Sequence, residues 1–220
     1  MKLVMLDVDG TLVDSARIII DAQVETFAAH GLAYPGREAG LAVVGLSLQL
    51  ALAELARDAE IAPALTETYR EVFTRMRRDP IYVEPLYPGV AETIVALSER
   101  NDIMLGIATG KSRRGAEYII ERERWHERFA VIRTADDGPS KPHPEMLLGA
   151  CEITGIAPAD MLMIGDSTFD MQMGKAAGGR SIAVSYGFQP VDRLLEAGAD
   201  AVIDNFAELP LHLPDAPGPL

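Results

Sequence analysis

Short apolar segments recur along this chain, and each leads into a polar or glycine-containing loop. These segments are apolar at consecutive positions rather than at alternate ones, which is typical of parallel strands covered on both faces. The six segments span residues 3–6, 103–108, 131–132, 161–164, 182–184 and 201–203. This pattern predicts a parallel β-sheet at the centre of the fold.

Helical patterns fill the intervals between consecutive segments, at residues 89–99, 115–123, 145–154, 169–177 and 190–197. Alternating strands and helices of this length are typical of βαβ units. We therefore expect an α/β protein with a doubly wound, Rossmann-like parallel sheet.

Residues 15–84 interrupt this alternation, because they carry helical periodicity without a convincing strand. One helix is predicted from Ser15 as N-cap to Gly31. A second, at 67–78, has an apolar stripe with charged residues away from it, among them Arg70, Arg75 and Arg78. We expect an inserted α-helical cap domain at 15–85, a core at 1–14 and 86–220, and an extended proline-rich tail at 209–220.

The composition narrows the possible partners. The chain has 33 acidic and 20 basic side chains, a net charge of -13 over 220 residues, so its surface repels nucleic acid and anionic membranes. The single cysteine, Cys151, excludes an internal disulfide and favours a reducing compartment. The first residues do not resemble a secretory signal. These features predict a cytoplasmic protein, with monomer or homodimer both open.

Two loops at predicted strand ends carry acidic residues. Asp7 and Asp9 follow the first strand, with Gly10 and Thr11 directly after them, and the later sequence IGDSTFD places Asp166 and Asp170 four residues apart. Carboxylates crowded at one sheet edge need a cation or a shared proton. Taken alone, the first loop is equally consistent with two solvated aspartates, and Asp166 with a helix cap.

Two further loops supply groups that bind anions. Thr109 and Gly110 end the 103–108 strand, where a hydroxyl and free N–H groups can face a phosphate or simply cap a helix. Lys141 lies in SKPHPE, between strands, where a lone lysine is usually a surface charge. The carboxyl ends of parallel strands meet at one edge, so we expect the four loops to converge.

The segments DVDGTLVDS, IATGKS, SKPHPE and IGDSTFD, in this order and with a helical insertion after the first, resemble the haloacid dehalogenase superfamily. The chain is similar in particular to its phosphoglycolate-phosphatase-like members with a helical cap. The resemblance covers all but the tail. Val8 stands where such phosphatases often have phenylalanine.

The resemblance implies a magnesium-dependent phosphatase in which Asp7 attacks phosphorus and Asp9 serves as general acid and base. It implies Mg²⁺ bound by the carboxylates of Asp7 and Asp166 and by the backbone carbonyl of Asp9. The phosphoryl group would be bound by Lys141, Thr109, Gly110 and the first loop, which Gly10 and Thr11 shape. Asp170 would orient Lys141 or a water molecule.

The resemblance suggests a small phosphorylated metabolite, such as 2-phosphoglycolate, as substrate. Candidate contacts to the leaving group lie in residues 35–50, especially Arg37 and the turn 44–47, although Arg37 is equally consistent with an exposed surface residue. Lys111, Arg113 and Arg114 are candidates to attract an anionic substrate, or are surface charges at a helix start. A phosphosugar mutase of the same superfamily remains an alternative, as does a phospho-accepting signalling module, although such modules lack a long helical insertion. A dehalogenase would not need Asp9, Lys141 and Asp166 together.

Overall fold

A computed structural model describes residues 1–213. Its sheet has six strands, all parallel, in the order β3-β2-β1-β4-β5-β6. The strands are β1 (Lys2–Leu6), β2 (Ile103–Ala108), β3 (Val131–Arg133), β4 (Met161–Gly165), β5 (Arg180–Val184) and β6 (Ala201–Ile203). The predicted doubly wound sheet is confirmed, with all six segments in it.

Nine α-helices are found in the described part of the chain. They are α1 (Ala16–Ala29), α2 (Arg37–Ala42), α3 (Leu48–Ala56), α4 (Ala62–Met76), α5 (Val90–Ser98), α6 (Arg113–Arg122), α7 (Glu145–Thr154), α8 (Thr168–Ala177) and α9 (Val191–Glu196). Two 3-10 helices, Pro158–Asp160 and Phe206–His212, complete the elements. No helix among residues 1–213 combines the length and apolar character needed to span a membrane.

The sheet is covered on both faces, as its apolar strands require. Along β1, Val4 and Leu6 pack into one hydrophobic cluster, and Leu3 and Met5 pack into another on the opposite face. This division follows from the two-residue period of a strand, whose side chains alternate between faces.

Helices α1 to α4 enclose a third cluster, built around residues such as Phe27, Leu52 and Leu65. The chain enters and leaves this helical segment by two adjacent connections. Val13 and Leu86 form an antiparallel bridge, and the N–H of Asp14 donates to the carbonyl of Pro85 at 2.8 Å. The helical segment therefore has its own core, and its two covalent connections to the sheet run side by side.

Three local predictions differ from the structure. Helix α4 begins at Ala62, five residues before the predicted start, with Pro63 in its first turn, where a missing N–H costs nothing. Ser15 holds the N-cap position of α1, but its hydroxyl makes no capping bond. The extended tail predicted from Leu209 is wrong over residues 209–212, which belong to a 3-10 helix with Leu209 fully buried. Residues 214–220 lie outside the described residues.

Candidate active site

Three of the four predicted loops directly follow adjacent strands. Asp7 follows β1, Thr109 follows β2 and Asp166 follows β4, and the strand order places β1 between the other two. The fourth loop carries Lys141 from the end of β3 towards α7. Since all the strands are parallel, these ends form one edge, and the order changes direction at β1 and β4, where open α/β sheets bind ligands.

Lys141 is the link between two of these loops. Its ammonium group is completely buried and lies 3.0 Å from Asp7 Oδ1 and 2.6 Å from Asp170 Oδ1. Burial acts to lower the pKa of Lys141, but the two carboxylates outweigh it and raise the pKa above the usual value. The ammonium is therefore held in its charged form between two acids.

Asp7, Asp166 and Asp170 form a buried carboxylate cluster, with one oxygen of each within 4.8 Å of the others. Burial raises the pKa of Asp7 to about 7, against the opposing charge of Lys141. Burial and the neighbouring carboxylates of Asp7 and Asp170 also raise the pKa of Asp166 well above its usual value. The site concentrates negative charge that a bound cation would neutralise.

One atom indicates where such a cation fits. Asp7 Oδ1 accepts from the N–H of Val8 at 2.7 Å and faces Lys141, whereas Asp7 Oδ2 is buried without any hydrogen-bond partner among the described residues. Carboxylate oxygens are the ligands that Mg²⁺ prefers. An orphaned carboxylate oxygen inside an acidic cluster fits a divalent cation.

Asp166 and Asp170 are fixed by the surrounding loops. Asp166 accepts from the Thr11 hydroxyl at 3.1 Å and from the Phe188 N–H at 2.8 Å. Asp170 accepts from the N–H and the hydroxyl of Ser167, which forms a capping box with it at the start of α8. Thr11 thus contacts a carboxylate rather than the open space where a phosphoryl group would lie.

Position 10 requires glycine, because the Asp166 carboxylate lies directly against its backbone. Its φ of 78° lies in the left-handed region, and a Cβ there would be 2.1 Å from Asp166 Oδ2. Any side chain at this position would therefore displace a carboxylate of the cluster.

The carboxylate of Asp9 lies apart from that cluster. Its Oδ1 accepts from the Ser15 hydroxyl and from the ammonium of Lys111, which is also 3.7 Å from Glu84 Oε2. Glu84 is buried and forms a two-pronged ion pair with Arg77, the residue directly after α4, at 2.8 and 3.0 Å. A chain of charges therefore joins Asp9 to the helical segment, and nothing in the sequence motifs pointed to Glu84 or Arg77.

The turn 44–47 of the helical segment rests on the core loops. A Cβ on Gly110 would lie 2.5 Å from the carbonyl oxygens of both Gly45 and Leu46. The N–H of Ser47 donates to the Ser140 hydroxyl at 2.7 Å. The turn 44–47, a candidate from the sequence, therefore directly contacts the loops that carry Thr109 and Lys141.

A cavity of about 790 Å³ opens between these loops and the helical segment. Asp7, Asp9, Thr109, Gly110 and Lys111 line its floor, and residues of α4 and α6 line its walls. Arg114 is among the lining residues, whereas Arg113 pairs with Asp137 at 2.6 Å and Arg37 does not line this cavity. The cavity is also lined by Arg70 of α4 and by Arg77 and Arg78, which directly follow it. The sequence predicts a polar helix face here but no site residues.

The family model for haloacid dehalogenase-like hydrolases matches residues 4–184, which include all four loops. The chain belongs to this hydrolase family. An N-acetylmuramic acid 6-phosphate phosphatase of Pseudomonas aeruginosa is 33% identical over 95% of the chain and 93% of its own length. Phosphoglycolate phosphatase 1 of the same species is 32% identical over 94% of the chain and 78% of its own length.

The fold of this hydrolase is found among solved structures. A Bacteroides fragilis protein described as a haloacid dehalogenase-like hydrolase superposes with a TM-score of 0.85 and 25% identity, over 94% of the chain and 99% of that protein. Family membership, phosphatase relatives and the site geometry agree. The chain is a phosphoric monoester hydrolase of the haloacid dehalogenase-like family.

Proposed function

We propose that this hydrolase is a magnesium-dependent phosphatase that forms an aspartyl-phosphate on Asp7. The observation that carries the proposal is the Asp7 carboxylate itself. One of its oxygens faces Lys141 at 3.0 Å, and the other is buried without a partner beside Asp166 and Asp170. A carboxylate held this way has one face for a cation and lies at the floor of a cavity that admits a substrate.

Mg²⁺ would be held by the carboxylates of Asp7 and Asp166, with the backbone carbonyl of Asp9 as a further ligand. Bound there, it would supply positive charge that lets an anionic phosphate approach an anionic nucleophile. Asp170 belongs to the same carboxylate cluster, but its oxygens are engaged by Lys141 and Ser167. We therefore keep Asp170 as the residue that positions Lys141.

The reaction needs two displacements at phosphorus. An oxygen of Asp7 forms a bond to phosphorus as the bond to the leaving oxygen breaks, and protonated Asp9 gives its proton to that oxygen. Asp9 then takes a proton from a water molecule, whose oxygen displaces Asp7 and releases phosphate. Lys141, the Thr109 hydroxyl and the Gly110 N–H stabilise the charge on the phosphoryl oxygens, while Gly10 and Thr11 keep the first loop in place.

We further propose that residues 15–85 act as a cap domain that excludes water from the site. The turn 44–47, which contacts Gly110 and Ser140, supports this role. Substrates are expected among small phosphorylated metabolites. 2-Phosphoglycolate is one candidate, in line with the relative named phosphoglycolate phosphatase, and N-acetylmuramic acid 6-phosphate is another, in line with the relative named for that ester.

Phosphate release from a panel of monoesters, with and without Mg²⁺, tests the proposal. Asp7→Asn should reduce turnover below detection, because an amide oxygen cannot form the intermediate, and Asp192→Asn is the control at an exposed aspartate. Normal turnover in Asp7→Asn would refute the mechanism. An isomerised phosphate ester in place of free phosphate would support the mutase.

Metal binding has a readout that does not depend on turnover. Mg²⁺ should raise the Tm of the wild-type chain, because a ligand that binds only the folded state stabilises it. The same addition should leave Asp166→Asn unchanged. Equal Tm shifts in both proteins would remove Asp166 from the proposed metal site.

A further inference from the structure

The cavity is much larger than the phosphoryl chemistry requires. Its volume of about 790 Å³ lies in the range of pockets that enclose ligands of drug-like size. Beyond the floor, its walls include the aromatic rings of Tyr69, Phe73 and Tyr118, which can pack against the apolar face of a sugar-sized group. A two-carbon acid such as glycolate would leave most of this space empty.

The charges on the cavity walls differ from those of the whole molecule. Five cationic side chains line the cavity (Arg70, Arg77, Arg78, Lys111 and Arg114), against three acidic ones (Asp7, Asp9 and Asp136), in a chain whose net charge is -13. Arg77 pairs with Glu84, and Lys111 pairs with Asp9. The guanidinium groups of Arg70, Arg78 and Arg114 have no ion-pair or hydrogen-bond partner among residues 1–213. Unpaired guanidinium groups facing a pocket are ready to bind an anion.

The arginines that line the cavity lie on α4, on the residues directly after it, and on α6. The guanidinium of Arg77, which directly follows α4, lies 4.2 Å from the centre of the Tyr118 ring of α6. Arg78 is the neighbour of Arg77, and Arg114 lies one helical turn before Tyr118 on the same side of α6. Arg70 lies on α4, whereas Arg78 lies two residues beyond the end of that helix.

We propose that Arg70, Arg78 and Arg114 form a second anion subsite, which binds a negatively charged group on the leaving alcohol. The substrate is then a phosphate monoester of a sugar-sized alcohol that carries another anionic group, either a carboxylate or a second phosphate. This inference rests on the proposed phosphatase function and narrows it to a substrate class. It places recognition on the α4 and α6 walls, away from the groups that act on phosphorus.

Three esters separate the possible second anions. N-Acetylglucosamine 6-phosphate has no charge outside its phosphate, N-acetylmuramic acid 6-phosphate adds a carboxylate to the same ring, and N-acetylglucosamine 1,6-bisphosphate adds a second phosphate to it. We expect kcat/KM for at least one of the two esters with a second anionic group to exceed that for N-acetylglucosamine 6-phosphate by about tenfold or more, the value of a charge-assisted hydrogen bond. The better of the two identifies the anion. Equal values for all three esters would overturn the proposal.

Substitution of the arginines tests which of them recognise the second anionic group. Arg70→Gln, Arg78→Gln and Arg114→Gln should each lower kcat/KM for the preferred ester by about tenfold and leave the neutral ester and p-nitrophenyl phosphate unchanged. Arg75→Gln is the matched control, because Arg75 lies on α4 but outside the cavity, paired with Glu25. Equal losses for charged and neutral esters would contradict a subsite for the second anion.

Binding measurements test the second anion subsite independently of phosphate release. Titration calorimetry of the charged and neutral esters into Asp7→Asn measures recognition without turnover. Tighter binding of the charged ester that is lost in the arginine variants would support the subsite, whether or not any ester releases phosphate. A failure of every ester to release phosphate would refute only the phosphatase proposal. Equal affinities would refute the subsite whatever the catalytic outcome.

Discussion

The two ends of the cavity are built in opposite ways. At the sheet edge, Asp7, Lys141, Asp166 and Asp170 are buried. Lys141 pairs with Asp7 and Asp170, and loop groups hold Asp166 in place. On the opposite walls, Arg70 of α4, Arg78 just beyond α4 and Arg114 of α6 are exposed, and their guanidinium groups have no partner in the described chain. Buried, mutually fixed charges suit a reaction that needs dipoles already aligned. Exposed, unpaired charges suit recognition, where a change of residue alters the ligand without damaging the fold.

Substitution of Lys141 tests whether the buried charges at the sheet edge depend on one another. We expect it to lower both stability and activity more than the other substitutions below. Lys141→Gln leaves the carboxylates of Asp7 and Asp170 buried without their ammonium. Loss of one partner from a buried ion pair destabilises by about 3–5 kcal/mol. Loss of one charged donor to the phosphoryl oxygens should lower kcat by roughly 10²–10³-fold. Urea unfolding without Mg²⁺ and phosphate release measure the two effects.

Lys175→Gln is the control for Lys141, because Lys175 is exposed on α8. It should change neither quantity. If Lys141→Gln unfolds at the same urea concentration as the wild-type chain, the charges at the sheet edge do not depend on one another for stability.

Asp9 lies between the two regions, because it lines the cavity with Asp7 and is linked through Lys111 to Glu84. Asp9→Asn removes the proton donor, so turnover of an alkyl phosphate should fall by about a hundredfold or more. The loss should be smaller for p-nitrophenyl phosphate, whose leaving group needs no proton. Steady-state rates for both esters measure the difference.

Asp14→Asn is the matched control in the same loop, since Asp14 is exposed and accepts only the N–H of Ala16. An equal loss for both esters in Asp9→Asn would argue against proton donation by Asp9.

The contact between the helical segment and the core can be broken at Gly110. In Gly110→Ala the new methyl would meet two backbone carbonyls of the 44–47 turn at 2.5 Å, and backbone cannot rotate away as a side chain can. We expect kcat/KM to fall by about 10- to 100-fold, because a small misplacement of the closing turn spoils alignment. The free energy of unfolding should change little, since the turn can lift from the core.

Gly149→Ala is the comparison for Gly110. Its added methyl meets only the flexible end of Arg133, at 3.1 Å. Wild-type kinetics in Gly110→Ala would mean that the turn does not need to rest on the core during catalysis.

Much of the sheet edge could be predicted from the sequence, because local patterns determine it. Consecutive apolar residues define each buried strand, and parallel strands bring the loops after Leu6, Ala108 and Gly165 to one edge by geometry alone. The expected grouping of Asp7, Lys141, Asp166 and Asp170 follows from this rule. Their assigned roles remain predictions.

The cavity walls could not be predicted in the same way. The helical periodicity of the sequence predicts the charged face of α4. Which part of the protein lies opposite that face depends on how the helical segment packs on the core. Arg37, which the sequence offered either as a candidate contact or as a surface residue, does not line the cavity. Arg70 and Arg78, which the sequence assigned only to a polar face, do line it. Glu84 was placed at a boundary between segments, whereas burial and the Arg77 ion pair tie it to Lys111 and the site.

The smallest effect is expected at Ser140, whose hydroxyl accepts the N–H of Ser47 at 2.7 Å. Ser140→Ala removes one hydrogen bond between the turn and the core, worth about 0.5–1.5 kcal/mol, so KM should rise by up to about tenfold with kcat nearly unchanged. Ser98→Ala, which loses hydrogen bonds to Val95 and Arg128 far from the cavity, should leave KM unchanged. If KM rises equally in both variants, the Ser47 contact has no part in closing the site, and the helical segment is held over the core by the Gly110 contact and the Glu84 charge chain instead.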